Sequence, residues 1–337
     1  MPKKVLCVFL VLSLLLCCQG CGLFQKKSAE EGDTLSSENY QTEETEENIR
    51  KTVMYYANEY DMLVPIVKDI LWVEGIGKAA IECLVDGPET RMSLAEMGLK
   101  PTLPEGTRIL GMSIRDGLAK VDLSSDFLYL SDEVAEKNAI SSVVYTLTEF
   151  PTIDRVSILV DGKPLSMCPH GTVVDEVLER ENINLEKVDS ELSVEEAIPV
   201  TLYFKGSNLI GSHSYYVPVT RLVKKSDDMI FAAIQELIKG PEENTGLSSA
   251  IPPETQVLDV RQEGPEVIVN LSKEVEGYGG GIDSEQALVN SIVLTATQFS
   301  GVEKVSLLVE GETGVLPEGT VLDSPILKPV YVNSDSL

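Results

Sequence analysis

One stretch of this chain is written twice. Val156-Ser157-Ile158-Leu159-Val160-Asp161-Gly162 returns 149 residues later as Val305-Ser306-Leu307-Leu308-Val309-Glu310-Gly311. Leu103-Pro104-Glu105-Gly106-Thr107 returns after 148 residues as Ile251-Pro252-Pro253-Glu254-Thr255, and Asp86-Gly87-Pro88 after 153 as Lys239-Gly240-Pro241. Solenoid units run about 20–50 residues, so a period this long is a duplicated domain. Whatever fold one copy adopts, the other must also satisfy. A residue needed for chemistry in both copies should appear in both.

Each copy predicts the same elements. Thr52 to Tyr56 and Val200 to Phe204 are β-branched and aromatic runs that predict strands. Leu63 to Val67 and Tyr216 to Thr220 predict second strands, each carrying a proline, Pro65 or Pro218. Proline cannot donate to a ladder, so these are expected at a sheet edge or bulge. Ile76, Ala79, Ala80, Cys83 and Leu84 have helical spacing, repeated by Ile230, Ala233, Ile234, Leu237 and Ile238. Gly87-Pro88 and Gly240-Pro241 are expected to end these helices. A hairpin turning at Asp116-Gly117 follows, then a longer helix with Ile140, Val143, Val144 and Leu147 inward, then the strand Arg155 to Val160.

The expected fold is α+β: two tandem small domains, each a mainly antiparallel sheet with two helices on one face, in the order β-β-α-β-β-α-β. The domains span 51–175 and 199–325, joined by an acidic linker, 176–198, with a short helix expected around Val174–Glu181, and followed by a tail, 326–337.

The start of the chain is a different kind of segment. Lys3 and Lys4 precede the apolar run Val5 to Leu16, which is short for a membrane span of about 20 residues and suits a signal peptide, residues 1–21. Its end, Gln19-Gly20-Cys21-Gly22, resembles the cleavage site of a bacterial lipoprotein signal, with Cys18 where leucine usually stands. Cys21 would then become the first mature residue and carry the lipid; the alternative is an uncleaved signal anchor. Residues 22–50 are rich in Glu, Ser, Thr, Gln and Asn, a composition too poor in apolar area to offset ordering entropy, hence a disordered tether. The formal net charge of −27 argues against nucleic acid as a partner. Cys83 and Cys168 have no counterparts in the second copy, so free thiols are expected.

These residues together carry a resemblance. Asp86-Gly87-Pro88, Leu103 to Thr107, Ala119 to Ser124 and Leu147 to Pro151, with Val217 to Arg221, Lys239 to Pro241, Leu247 to Pro252 and Val269 to Ser272, resemble the GerM domain family of sporulation and germination. The first copy departs from it with Ile66-Val67-Lys68 against Val219-Thr220-Arg221, and the second with Asn270 for Asp122. The resemblance implies domains similar to ring-building domains of secretion-type complexes and a non-enzymatic role. It implies a lipoprotein on the extracytoplasmic face of the mother-cell membrane, helping to assemble or stabilise the channel complex that joins mother cell and forespore.

The residues themselves offer little chemistry. His170 aligns with Glu318, and Cys168 with His170 is one pair, too few ligands for a structural zinc. Asp122 aligns with Asn270, which has no acid–base capacity, so a cap for the following turn is the expectation. The loop Gly277-Tyr278-Gly279-Gly280-Gly281 lacks the lysine of a phosphate loop. No catalytic, metal or cofactor site is expected. The expected interaction surface is Trp72, Tyr55, Tyr56, Pro65 and Pro218, with the edge strand Leu63–Val67 offered to partner subunits. An alternative from another class is a lipoprotein binding peptidoglycan or another glycan through Tyr55, Tyr56, Tyr203, Tyr215 and Tyr216.

Overall fold

A computed structural model describes residues 49–71, 73, 75–187, 193 and 195–333; Cys21 and Trp72 lie outside them. The first repeat begins with a hairpin, β1 (Ile49–Ala57) and β2 (Leu63–Leu71), and continues with α1 (Ile76–Glu82), α2 (Pro88–Ala95), β3 (Ile109–Arg115), β4 (Leu118–Leu123), α3 (Glu133–Thr148), β5 (Arg155–Val160) and β6 (Lys163–Pro164). The second has β7 (Ala197–Ser207), β8 (Ser214–Lys224), α4 (Met229–Lys239), β9 (Leu247–Ser248), β10 (Val257–Glu263), β11 (Glu266–Leu271), α5 (Ile282–Ala296), β12 (Lys304–Val309) and β13 (Ile326–Leu327).

The α+β class holds in both repeats, and the expected elements recur in order, with an additional helix, α2, in the first repeat and additional short strands, β6, β9 and β13. The strands of each repeat divide between two sheets. One is the N-terminal hairpin, β1-β2 or β8-β7-β9; the other is β3-β4-β5-β6 or β10-β11-β12-β13. In the latter sheets β4 pairs with β5, and β11 with β12, in parallel. Parallel neighbours need a crossover, which α3 and α5 supply. Both helices bury their apolar stripe: Ala139, Ile140, Val143, Val144 and Leu147 in one, Leu288, Val289, Ile292, Val293 and Ala296 in the other. The core is continuous from one repeat to the other, and both fall in one compact unit, Glu47–Leu337.

Three expectations are corrected. Gly87 does not close a helix: its backbone is extended (φ −176°) and it caps the start of α2, with Pro88 in the first turn. Proline is pre-shaped for that position because its missing N–H has no partner to lose there. Only Gly240, at φ 85°, closes a helix as expected. The segment expected as a linker helix around Val174–Glu181 is extended instead. Its Leu178 bridges to Val156, and Ile183 and Glu186 are buried against the repeats. The tail is likewise integrated, since β13 pairs with β12.

Cys83 and Cys168 are free thiols, as expected; Cys168 is the buried one and Cys83 is half-buried.

Candidate functional site

The two hairpins meet edge to edge, β2 against β8, and the residues that join them come from the segments after each repeat. Asn184 takes the left-handed conformation, φ 48°, which asparagine tolerates. Its Oδ1 accepts the Leu63 N–H at 2.8 Å, while Nδ2 donates to the carbonyls of Leu63, at 2.8 Å, and Pro218, at 2.7 Å. Asn333, 149 residues later, does the same from the other side. Its Oδ1 accepts the Tyr216 N–H at 2.7 Å, and its Nδ2 donates to the carbonyls of Tyr216 and Pro65, both at 2.8 Å. Leu63 corresponds to Tyr216 and Pro65 to Pro218, so each asparagine binds its own strand twice and the opposite strand once. This is the reciprocity of an isologous dimer, built inside one chain.

Two further contacts obey the same symmetry. Asn208, at the β7–β8 turn, donates from Nδ2 to the Glu96 carbonyl at 2.8 Å and presses on Gly98, where an added Cβ would stand 2.9 Å from the Asn208 Cβ. Tyr60, its counterpart in the β1–β2 turn, packs on Gly246, the counterpart of Gly98, where an added Cβ would stand 2.0 Å from the ring. Both glycines have φ near +68°, at 67° and 68°.

Each repeat also buries one carboxylate at the first turn of its long helix. Glu136 accepts the N–H groups of His170 at 2.5 Å and Thr172 at 3.2 Å. Glu285 accepts those of Glu318 at 2.7 Å and Thr320 at 2.8 Å, and also the Tyr278 hydroxyl. Burial pushes both carboxyls up, but these donors outweigh it and hold them below the usual glutamate value. The two glutamates fasten the loop after the last long strand to the helix.

The charged partner of the junction differs between repeats. Arg221, on β8, forms a two-pronged pair with the buried Glu186, 2.5 Å from Nε to Oε2 and 3.0 Å from Nη2 to Oε1. It also donates to the Gly240 carbonyl at 2.8 Å and stacks 5.8 Å from the centre of the Phe204 ring. Arg221 therefore ties the segment between the repeats to the end of α4. Its counterpart Lys68 sits over Tyr56, the counterpart of Phe204, at 5.2 Å, and donates to Ser93 Oγ at 2.7 Å.

A groove runs beside the clasp on each repeat, and the two have opposite character. The first-repeat groove, about 700 Å³, holds Met62, Leu63, Val134 and Ile140 together with Asp61, Asp175 and Glu179. The second-repeat groove, about 480 Å³, has Tyr215, Tyr216 and Asp283 at the positions of Met62, Leu63 and Val134, and adds Lys68, Lys205 and His213.

The expected interaction residues are placed otherwise than the sequence suggested. Tyr55 and Tyr56 are core residues, 6% and 0% exposed. The Tyr55 hydroxyl donates to Glu149 Oε1 at 2.9 Å and that of Tyr56 to the Cys83 carbonyl at 3.2 Å. Pro65 and Pro218 are buried, because the edge strands that carry them face each other across the clasp rather than a partner. Of the tyrosines considered for sugar stacking, Tyr203 and Tyr215 are buried too, and Tyr215 and the less buried Tyr216 line the groove. Asp122 Oδ1 accepts the Gly162 N–H at 2.9 Å, and Asn270 Oδ1 accepts the Gly311 N–H at 2.8 Å, so both serve a turn, but the one after the neighbouring parallel strand rather than the one that follows them in sequence. His170 bonds through Nε2 to the Leu130 carbonyl at 2.8 Å. Glu136, Glu285, Asn184 and Asn333 were not among the candidates. Their signal was present, each pair recurring at 149 residues, but the asparagines lay outside the assumed domain limits.

Comparison with known proteins agrees with this architecture. Residues 51–166 and 201–315 each match the family model Germane, described as sporulation and spore germination. The chain is 30% identical to the spore germination protein GerM of Bacillus subtilis (strain 168), over 94% of both chains. It superposes on the tandem GerMN domains of the sporulation protein GerM from Bacillus subtilis with a TM-score of 0.72 and 28% identity, covering 85% of this chain and all of that one.

Proposed function

The chain belongs to the Germane family of sporulation and spore germination proteins, and from that premise we propose that it is a lipoprotein that helps to assemble or stabilise an envelope protein complex. In this reading Cys21 carries the lipid and the acidic segment 22–50 holds the paired repeats off the extracytoplasmic face of the membrane. During spore formation that face is the mother-cell membrane opposite the forespore, and the partners are subunits of the channel complex between the two cells. The role is scaffolding rather than catalysis.

One observation carries the reading. The positions kept in both repeats, Asn184 and Asn333, Glu136 and Glu285, Gly98 and Gly246, all hold backbone in place, while the groove-lining positions have diverged. A rigid pair of heads with unlike surfaces suits simultaneous contact with different neighbours. The test is cross-linking and affinity purification of the full chain from sporulating cells. Recovery of envelope-complex subunits is expected, with their abundance lowered in a deletion strain. A purification that brings down none of them, alongside normal complex levels in the deletion strain, sinks the proposal. Labelling with a clickable palmitate analogue, lost in Cys21→Ser, tests the anchor.

A second reading, a glycan-binding lipoprotein, draws support from the polar second-repeat groove around Lys205 and Tyr216.

A further inference from the structure

Lys205 lies where two cavities adjoin. The 480 Å³ groove described above is one; the other, about 460 Å³, is lined by Ser248, Ser249, Tyr278 and Ser284, and Lys205 and Ala287 belong to both. Each falls within the size of a small-molecule site, about 300–1,000 Å³, and the first lies at a domain junction, where such sites concentrate. Lys205 is half-buried and forms no ion pair among the described residues. Lys68, in the same lining, rests on the Tyr56 ring and Ser93 with no carboxylate in ion-pair reach among the described residues. In a chain with net charge −27, two lysines against one carboxylate, Asp283, around one opening depart from the composition. A partly desolvated cation gains most from an anion that enters the same site.

The rest of the lining specifies the ligand further. Gln286 and Asn290 offer amides, Ser214, Ser248 and Ser249 offer hydroxyls, and the Tyr216 ring forms part of the wall. Such groups bond to hydroxyl- and amide-rich ligands. The corresponding groove of the first repeat has methionine, leucine and valine there, and carboxylates around them.

We propose that the groove around Lys205 binds a carboxylate-bearing, N-acetylated glycan of the cell-wall type. Its carboxylate would meet Lys205 and Lys68, and its hydroxyl and amide groups would meet Asn290, Gln286 and the serines. This deepens the glycan reading and is independent of the assembly reading, so either can fail alone.

The experiment is calorimetric titration of the full chain, purified in mild detergent, with disaccharide–tetrapeptide fragments of peptidoglycan. Saturable binding is expected, weakened about tenfold by Lys205→Gln and by amidation of the fragment's carboxylates. Lys137→Gln, in the first-repeat groove, should leave it unchanged. The amidated probe tests the charge on the unmodified protein even if the lysine variant fails to fold. Absence of saturable binding, equal binding of the amidated probe, or indifference to Lys205→Gln in a folded variant overturns the proposal. Equal binding of an acidic peptide without sugar, lost in Lys205→Gln, overturns the glycan assignment in favour of a peptide partner. Capture of the envelope complex by a chain that binds no glycan would leave the assembly reading intact.

Discussion

The two repeats differ least where they hold their own backbone and most where they face outward. Asp122 and Asn270 are chemically unlike, yet each supplies one oxygen to one glycine N–H. Met62, Leu63 and Val134 correspond to Tyr215, Tyr216 and Asp283, and a groove whose charges are mostly carboxylates corresponds to one with two lysines and a single carboxylate. A substitution that keeps the hydrogen bond is neutral to the fold, whereas one on a groove wall changes what can bind. Duplication thus separates scaffold from surface within a single chain.

The largest test of this comparison concerns Arg221 and Lys68, which share a position but not a burden. Glu186 is buried with Arg221 as its partner, so Arg221→Met strands a carboxylate and should cost about 3–5 kcal/mol. Lys68→Met removes an exposed hydrogen bond and a ring contact, and should cost about 1 kcal/mol or less. Equilibrium denaturation in urea measures both, and equal losses would break the distinction.

Next come the paired glutamates. Glu136→Ala or Glu285→Ala leaves two loop N–H groups without their acceptor and should cost about 2–3 kcal/mol each. Their folded-state pKa values are depressed, so their contribution is complete above the unfolded value, near 4.5, and is lost as pH falls through the lower folded value. Each alanine variant should therefore lose stability at pH 7 and converge on the unmodified protein in acid. A gap that persists below both pKa values would assign the effect to packing instead.

How far the sequence revealed this fold depends on how each feature is encoded. Strands, long helices and hairpin turns were legible because periodicity and Asp-Gly chemistry are local. The parallel pairing of β4 with β5 was not, since it depends on a crossover rather than on composition. Tyr55 and Tyr56 looked available because aromatics beside an edge strand suit an interface, but the edge was already occupied by the other repeat. Asn184 reads as linker because it stands in an acidic stretch, Glu181-Asn182-Ile183-Asn184-Leu185-Glu186. Its role appears only when it is set beside Asn333, and the domain limits had excluded both. The buried glutamates carry no local mark for a related reason: most carboxylates in so acidic a chain are solvated.

The asparagines give the next smaller effect and the most direct test of symmetry. Asn184→Ala and Asn333→Ala each remove three hydrogen bonds at a partly solvated seam, worth about 1–3 kcal/mol. Because the two bridge the same strand pair, the double variant should show a coupling energy of about 0.5–1 kcal/mol or more. Hydrogen exchange at Leu63 and Tyr216 reports the opening directly. Strict additivity, with exchange raised only beside the mutated residue, would mean that the clasp is two separate contacts.

The smallest expected effect is the sharpest discriminator between scaffold and catalyst. At position 122 the second repeat has already performed the substitution, since Asn270 occupies the site with the same bond to the turn after the neighbouring strand. Asp122→Asn should therefore change stability by less than about 0.5 kcal/mol, because the oxygen that accepts the Gly162 N–H is kept. Asp122→Ala removes it and should cost about 1 kcal/mol. An acid–base role inverts the order of consequence: the asparagine variant would keep its fold and lose activity. Complementation of a deletion strain by Asp122→Asn, scored as heat-resistant and germinating spores, decides between them. Full complementation is expected, because among the described residues the task of this side chain is to hold the turn at Gly162.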